Sequence, residues 1–315
     1  MIFHQGYMKP SQVVGWLKDL RGHPHVRISH YDVTAVYQVK QGEETYYVGG
    51  VNVENAVLQL GTCGEEGAQS AFAVIFGAGA AITQAWVMGA DSDLETHDKA
   101  PTPCGECRQR LPHFAAGSVK VHKVSLDGEI RGHHIVRGLL PDGFSFNDLN
   151  PEAFVADQRA AVEPSLDNAV REGKTLMMRE TFSWLQSLLT RADARATHTR
   201  EAVVLKLTNG AYVAGVNVEN AAFPASTLAM QGAVAIASAM FDHPKVSRAA
   251  YLRVKPEGNE TAYSNIDPAS LQVLAEFRAR PDISVFRFNQ QGGFAKSHLD
   301  ALAPTATTTW QQGFR

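Results

Sequence analysis

The sequence predicts an α/β protein of two tandem three-layer domains, each a mixed sheet covered by helices on both faces. Three observations predict it. Residues 48–56 read Val-Gly-Gly-Val-Asn-Val-Glu-Asn-Ala, and residues 213–221 read Val-Ala-Gly-Val-Asn-Val-Glu-Asn-Ala. Residue 48 thus maps to 213, an offset of 165 residues, which is the size of a domain and not of a solenoid repeat. Strand-like runs alternate with helix-like runs, the pattern of a sheet sandwiched by helices. Finally, 315 residues with 44% hydrophobic and 19% charged content are enough for two cores at about 150 residues per domain.

The elements follow in order. Val33–Val39 is an apolar strand, Gln41-Gly42 a turn, and the first repeat a returning strand. The Ala-rich stretch Glu65–Phe76 reads as a helix and Ala85–Met88 as a strand. Cys104 to Leu111 reads as a short helix closed by Pro112, which has no N–H to continue it. Val119–Ser125 is the next strand. Asp148–Lys174 is polar, acidic and weakly periodic, and Glu180–Arg191 looks like the first helix of a second half. Ala202–Leu207, the turn Asn209-Gly210 and the second repeat form another hairpin, since Asn-Gly between β-rich runs is a strong turn signal. Ser226–Phe241 is helical, and strands Ala249–Val254 and Ile283–Phe288 flank a helix near Pro268–Phe277. The expected division is 1–150, a linker 151–174 and 175–315, with the boundary near residue 170.

The chain has three cysteines, in Cys63-Gly64-Glu65 and Pro103-Cys104-Gly105-Glu106-Cys107. Three thiolates fill three tetrahedral positions around Zn²⁺ and leave one for water, with Glu65 two residues from the first ligand and able to reach that water. The alternatives are three unrelated core thiols, a redox Cys-x-x-Cys pair, or a structural zinc completed by a histidine. No cysteine is left over, and no histidine adjoins either motif. The repeat is informative here. Leu228 and Met230 stand at the positions of Cys63 and Glu65, and matching Phe114 to Phe277 puts Asp267 and Ser270 at those of Cys104 and Cys107. The second half is expected to keep the scaffold and lack the metal.

Several classes are disfavoured. A net charge of −3 without a basic run lacks the footprint of a nucleic-acid binder. An odd cysteine count argues against a disulfide framework and for a reducing compartment. The start of the chain shows no signal peptide, and the apolar stretch Ala71 to Ile82 is too short to span a bilayer. The expectation is a soluble, cytoplasmic protein with no nucleic-acid or membrane partner.

Asn52-Val53-Glu54-Asn55-Ala56, then Cys63-Gly64-Glu65, then Pro103-Cys104-Gly105-Glu106-Cys107-Arg108-Gln109 closely resembles the cytidine deaminase family. Ser29-His30-Tyr31-Asp32-Val33-Thr34-Ala35 and the segment from Leu139 to Leu149 resemble two further family motifs, so the likeness covers most of residues 25–150. The second half is similar to the degenerate C-terminal domain of two-domain bacterial members. The resemblance implies two cytidine-deaminase-like domains, a zinc-dependent catalytic one followed by one without a zinc site. It implies one Zn²⁺ per chain on Cys63, Cys104 and Cys107, and Glu65 as the proton carrier in hydrolytic deamination of free cytidine or deoxycytidine. A modified cytosine nucleoside or nucleoside antibiotic as substrate, and a non-catalytic zinc-stabilised interaction domain, are the alternatives.

The resemblance also implies substrate contacts. Asn52 and Glu54, two apart on a strand and so on one side, match a ribose-binding pair; a turn motif capping the next helix is the other reading. Tyr31 matches an aromatic that packs on the base. Gly64 would offer its N–H to the base carbonyl, Thr102 its carbonyl to the amino group, and Phe144 would close the pocket, across a subunit contact in a homodimer. Gly64 replaces the family's usual alanine, and Glu66 its usual arginine or glutamine. Glu66 is expected to add negative charge near the thiolates and so disfavour nucleotide phosphates.

Overall fold

The computed structural model describes residues 1–149, 159–309 and 311. Residues 150–158, which include part of the expected linker, and residues 310 and 312–315 lie outside the described residues. The first sheet comprises β1 (Phe3–Gln5), β2 (Tyr31–Gln41), β3 (Glu44–Val51), β4 (Ala81–Asp91), β5 (Ala115–Val124) and β6 (Ile130–Ile135). Its order is β1-β3-β2-β4-β5-β6, with β4–β5 parallel and the other pairs antiparallel. The β2–β3 hairpin closes at Gln41↔Glu44, where Gly42 takes the left-handed φ of +60° that the turn requires.

The second sheet comprises β7 (Val170–Arg171), β8 (Arg200–Leu207), β9 (Tyr212–Val216), β10 (Val246–Val254), β11 (Ser284–Phe288) and β12 (Phe294–His298). Its order is β7-β9-β8-β10-β11-β12, and β10–β11 is its parallel pair. The two sheets share one topology strand for strand. β7 lies within the stretch expected to be a linker. β6 and β12 have no counterpart in the sequence reading, because Ile130–Ile135 is an edge strand, exposed almost throughout and without apolar alternation. β4 runs longer than Ala85–Met88 because Thr83 and Gln84 both donate to the Gln38 side-chain oxygen, at 2.8 and 3.0 Å.

Helices cover both faces. α1 (Pro10–Leu20) and α2 (Gly64–Phe76) flank the first sheet. Thr34 donates to the Leu17 carbonyl of α1, and Tyr37, three residues along the strand and so on the other face, donates to the Glu65 carbonyl of α2. The crossover from β4 to β5 carries α3 (Gly105–Arg110), and α4 (Val136–Leu139) packs on β5. In the second half, α5 (Met178–Leu189) and α6 (Ala229–Met240) contact β8 and β9, and α7 (Pro268–Phe277) and α8 (Leu299–Leu302) complete the set. α6 begins at Ala229 and not at Ser226, because Phe223-Pro224-Ala225 forms a 3-10 turn and Leu228 is still extended.

The halves meet through α2 and α6. These helices pack on each other, and each also touches the opposite sheet, α2 on β9 and α6 on β3. α2 is therefore buried at every position, which explains why it lacks a polar face. Each of these helices also lies close on its own sheet, which depends on two repeat glycines. A Cβ on Gly50 would lie 1.9 Å from the Ala68 nitrogen, and one on Gly215 would lie 2.2 Å from the Ala229 oxygen. The last carbonyls of α2 are satisfied by the second half: Val74 accepts from Arg191 at 2.9 Å and Ile75 from Asn168 at 3.0 Å.

A methyl at Gly50 meets backbone, which cannot step aside. Gly50→Ala should cost about 3 kcal/mol or more in chemical denaturation. Gly15→Ala, inside α1 with nothing within 4 Å of the added carbon, should instead stabilise by about 0.5–1 kcal/mol.

Candidate functional site

Two helix starts bring the cysteines together. Cys63 is the N-cap of α2, Cys104 the N-cap of α3, and Cys107 sits in the first turn of α3. The Cys63 and Cys104 sulfurs are 3.5 Å apart, and all three sulfurs lie within 4.8 Å of one another. Tetrahedral zinc with Zn–S near 2.3 Å would set its sulfurs about 3.8 Å apart, so the trio fits the ion. Among the described residues no other group of three such donors occurs. Cys107 is buried and Cys104 exposed, so the cluster opens to solvent on one side. Hydrogen bonds from Cys107 and Cys63 hold the Cys104 thiol at about 2, and the same contacts push Cys63 and Cys107 up.

Glu65 follows in the first turn of α2 and is buried. Burial pushes its carboxyl up to about 7, and the Cys104 charge adds to that. A carboxyl poised there can both take and give a proton at neutral pH. Gly64 has a steric cause: a Cβ at this position would lie 2.7 Å from the Val33 carbonyl oxygen.

The second half shows what replaces the ligands. Leu228 is the N-cap of α6 and Asp267 that of α7, where its carboxylate accepts from the Ser270 N–H at 2.8 Å. Met230, at the Glu65 position, is fully buried. The metal-ligating pattern is confined to the first half.

Asn52 and Glu54 are tied to the chain leading into β2. Asn52 accepts from the Val33 N–H and donates to the Tyr31 carbonyl, both at 2.8 Å. Glu54 accepts from the Ile28 and Ser29 N–H groups at 2.6 and 3.1 Å. Asn217 and Glu219 make the same contacts, with Glu201 and Thr199, and with Ala196 and Thr197. This bonding is thus a property of the scaffold. It uses one donor and one acceptor of the Asn52 amide and leaves one of each.

Tyr31 opens β2 and is 41% exposed, joined to Asn52 through its carbonyl. Thr102 is held to α3, its hydroxyl accepting from Arg108 at 3.3 Å while the Pro103 carbonyl accepts from the same guanidinium at 2.8 Å. Phe144 is placed elsewhere. Its backbone pairs with the Gln109 side chain, which also donates to Asn220 of the second half at 3.0 Å. The cavity it lines, about 200 Å³, includes His113, Arg195 and Asn220 and none of the cysteines.

Glu66 corrects the expectation of an unbalanced charge. It is buried, forms an ion pair with Arg110, and accepts from the Thr227 hydroxyl at 2.8 Å. Burial pushes its carboxyl up and Arg110 pulls it back. Its charge is spent between the halves and not offered to a ligand. Arg110 and Thr227 were not singled out by sequence reasoning. The available signal was that a glutamate in an apolar helix start requires a cation.

A sequence model of the cytidine and deoxycytidylate deaminase zinc-binding region matches residues 136–253. The chain is similar to the cytidine deaminase family over that stretch. The matched stretch begins beyond all three cysteines, so it rests on scaffold and not on ligands. A cytidine deaminase of Klebsiella pneumoniae is 27% identical over 224 residues, covering 70% of this chain and 66% of that protein. One of Yersinia pestis is 29% identical over 215 residues, covering 67% of this chain and 62% of that protein. The chain thus spans just under two thirds of the length of these relatives. The solved cytidine deaminase of Burkholderia pseudomallei is 24% identical with a TM-score of 0.35, covering 44% of this chain and all of that one.

The burial of Glu65 has a stability consequence. Its folded pKa lies above the unfolded value, so the acid destabilises the fold above pH 7 and ceases to do so below about pH 4.5. In metal-stripped protein at pH 8, Glu65→Gln should therefore be more stable than the parent by up to about 3 kcal/mol, and the gain should vanish near pH 4. Melting curves across pH check this.

Proposed function

We propose that the chain catalyses hydrolytic deamination of a free pyrimidine nucleoside, cytidine or deoxycytidine giving the uridine product and ammonia. The buried Glu65 carboxyl beside three converged thiolates carries this reading. Zinc on Cys63, Cys104 and Cys107 would supply an acidified water at neutral pH. Glu65 would take a proton from the water that attacks C4, pass it to N3 of the pyrimidine, and carry a second proton from the new C4 hydroxyl to the amino group, which leaves as ammonia. The spare amide donor and acceptor of Asn52, with Glu54 beside it, hold a ribose hydroxyl. Tyr31 packs on the base, the Gly64 N–H binds its carbonyl, and the Thr102 carbonyl accepts from its amino group.

In this reading residues 1–150 are the catalytic domain, 151–174 the junction and 175–315 the degenerate domain. The exposed Phe144 closes the pocket of a second copy in a homodimer. No helix among the described residues is long and apolar enough to cross a membrane. We place the protein in the cytoplasm, where its free thiols stay reduced. Gly64, which replaces the family's usual alanine beside the base, favours including modified cytosine nucleosides among the substrates tested.

Metal analysis should give one zinc per chain, and the protein should release ammonia from cytidine or deoxycytidine. Glu65→Gln should keep the zinc and lose turnover about a thousandfold. Undiminished turnover in that variant would refute the mechanism, and zinc without any amine release from the nucleoside panel would favour the interaction-domain reading. Solution mass should be twice that of the chain.

A further inference from the structure

Glu66, Arg110 and Thr227 form a buried triad, to which Arg110 adds an ion pair with the half-exposed Glu106 at 3.1 Å, and each member of the triad is attached to something different. Glu66 lies in the first turn of α2, beside Glu65, and its carboxylate also accepts from the Cys63 N–H at 3.4 Å. Arg110 ends α3, the helix that carries Cys104 and Cys107. Thr227 belongs to the other half, directly before the N-cap of α6. Arg110 pairs with Glu66 and donates to the Thr227 hydroxyl at 3.0 Å, and that hydroxyl donates to Glu66 at 2.8 Å. All three are at most 4% exposed. The triad therefore ties the first turn of α2 to the last residue of α3, the two helices that carry the three sulfurs.

The duplicated scaffold provides a control. By the offset that relates Cys63 to Leu228, Glu66 corresponds to Gln231 and Thr227 to Thr62. By the offset that relates Cys107 to Ser270, Arg110 corresponds to Val273. The twin site is uncharged. Gln231 donates to the Leu60 carbonyl at 3.2 Å, and the Thr62 hydroxyl is buried without a hydrogen-bond partner. If the triad served only to join the halves, the twin would do the same work in the same way. The charged version instead accompanies the thiolates.

We propose that Thr227, from the half without metal ligands, is a positioning residue for the zinc site, acting through Glu66 and Arg110. Its hydroxyl bridges carboxylate and guanidinium and so fixes where the ion pair sits between α2 and α3. Outer partners of this kind commonly alter metal affinity by about 10–100-fold. The inference rests on the metal-site reading of the cysteines and does not require that the substrate be cytidine.

The test uses the full chain and three variants, read by zinc loss to a chelator and by the absorption spectrum of the cobalt(II)-substituted protein. Thr227→Val keeps the shape and removes the hydroxyl; it should release zinc about tenfold faster and shift the cobalt bands. Thr227→Ser should restore both. Thr62→Val, the twin substitution, should leave both at the parental values. Zinc loss and cobalt bands in Thr227→Val equal to the parent, or moved equally by Thr62→Val, would overturn the proposal. Glu66→Gln provides a second route, since it neutralises the acid at nearly constant shape; parental zinc loss in that variant would also count against it. Failure of the deaminase reading would appear separately, as absent turnover in a parent that still binds one zinc.

Discussion

The contact between α2 and α6 is the constraint on which the rest of the structure depends. Each helix serves two sheets at once, so neither half has a core layer of its own on that face. Each helix can sit that low on its own sheet because Gly50 under α2 and Gly215 under α6 leave the strand backbone bare where the helix backbone presses on it. This explains the repeated Gly-Val-Asn-Val-Glu-Asn-Ala. Its glycine admits the helix, its asparagine and glutamate anchor the chain entering the neighbouring strand, and its last asparagine reaches across the halves. Asn55 accepts from Gln272 at 3.2 Å, and Asn220 accepts from Gln109 at 3.0 Å. The motif that looks most like a substrate-binding signature is also the one that builds the interface.

Around that layer the two halves are joined by buried histidine–carboxylate hydrogen bonds whose members have changed places. His113 of the first half meets Asp193 of the second at 2.7 Å. At the corresponding contact Glu276 of the second half meets His25 of the first at 3.4 Å. Against the upward push of burial, the hydrogen bond from His113 and the Arg195 charge hold Asp193 below the usual carboxylate range, and His25 with Thr309 does the same for Glu276. Buried pairs of this kind add little net stability but penalise any arrangement that leaves one member unpaired. The halves consequently dock in one register.

The helix-covered mixed sheets, the hairpins and the cysteine trio were legible because each is written locally: alternation and turn residues for strands, an internal repeat for the doubled scaffold, a short spacing for the ligands. What escaped the sequence is non-local. The edge strands β6 and β12 are exposed and carry no pattern, so only pairing decides them. The extension of β4 through Thr83 and Gln84 depends on Gln38, some 45 residues away. Glu66 was misjudged for the same reason. Its neighbours in sequence are the thiolate and Glu65, but its partners are Arg110, on another helix, and Thr227, in another domain-sized repeat. A charge can be read from a sequence; its neutralisation cannot.

The comparison of helix starts shows how one half could lose its metal without losing its fold. An N-cap needs an acceptor for the free N–H groups of the first turn. At α3 the N-cap is Cys104, which makes no side-chain capping hydrogen bond. At α7 it is Asp267, whose carboxylate accepts from Ser270. The second half thus meets the demand with an oxygen, where the first half has a sulfur placed among the other two. At α2 and α6 the difference is charge: both residues are buried, Glu65 carries an ionisable group into an apolar layer, and Met230 fills the same place at no electrostatic cost. The ligand positions were therefore free to change once no metal was held. The scaffold positions, shared through α2 and α6, were not, because the half that keeps its cysteines packs on the half that does not.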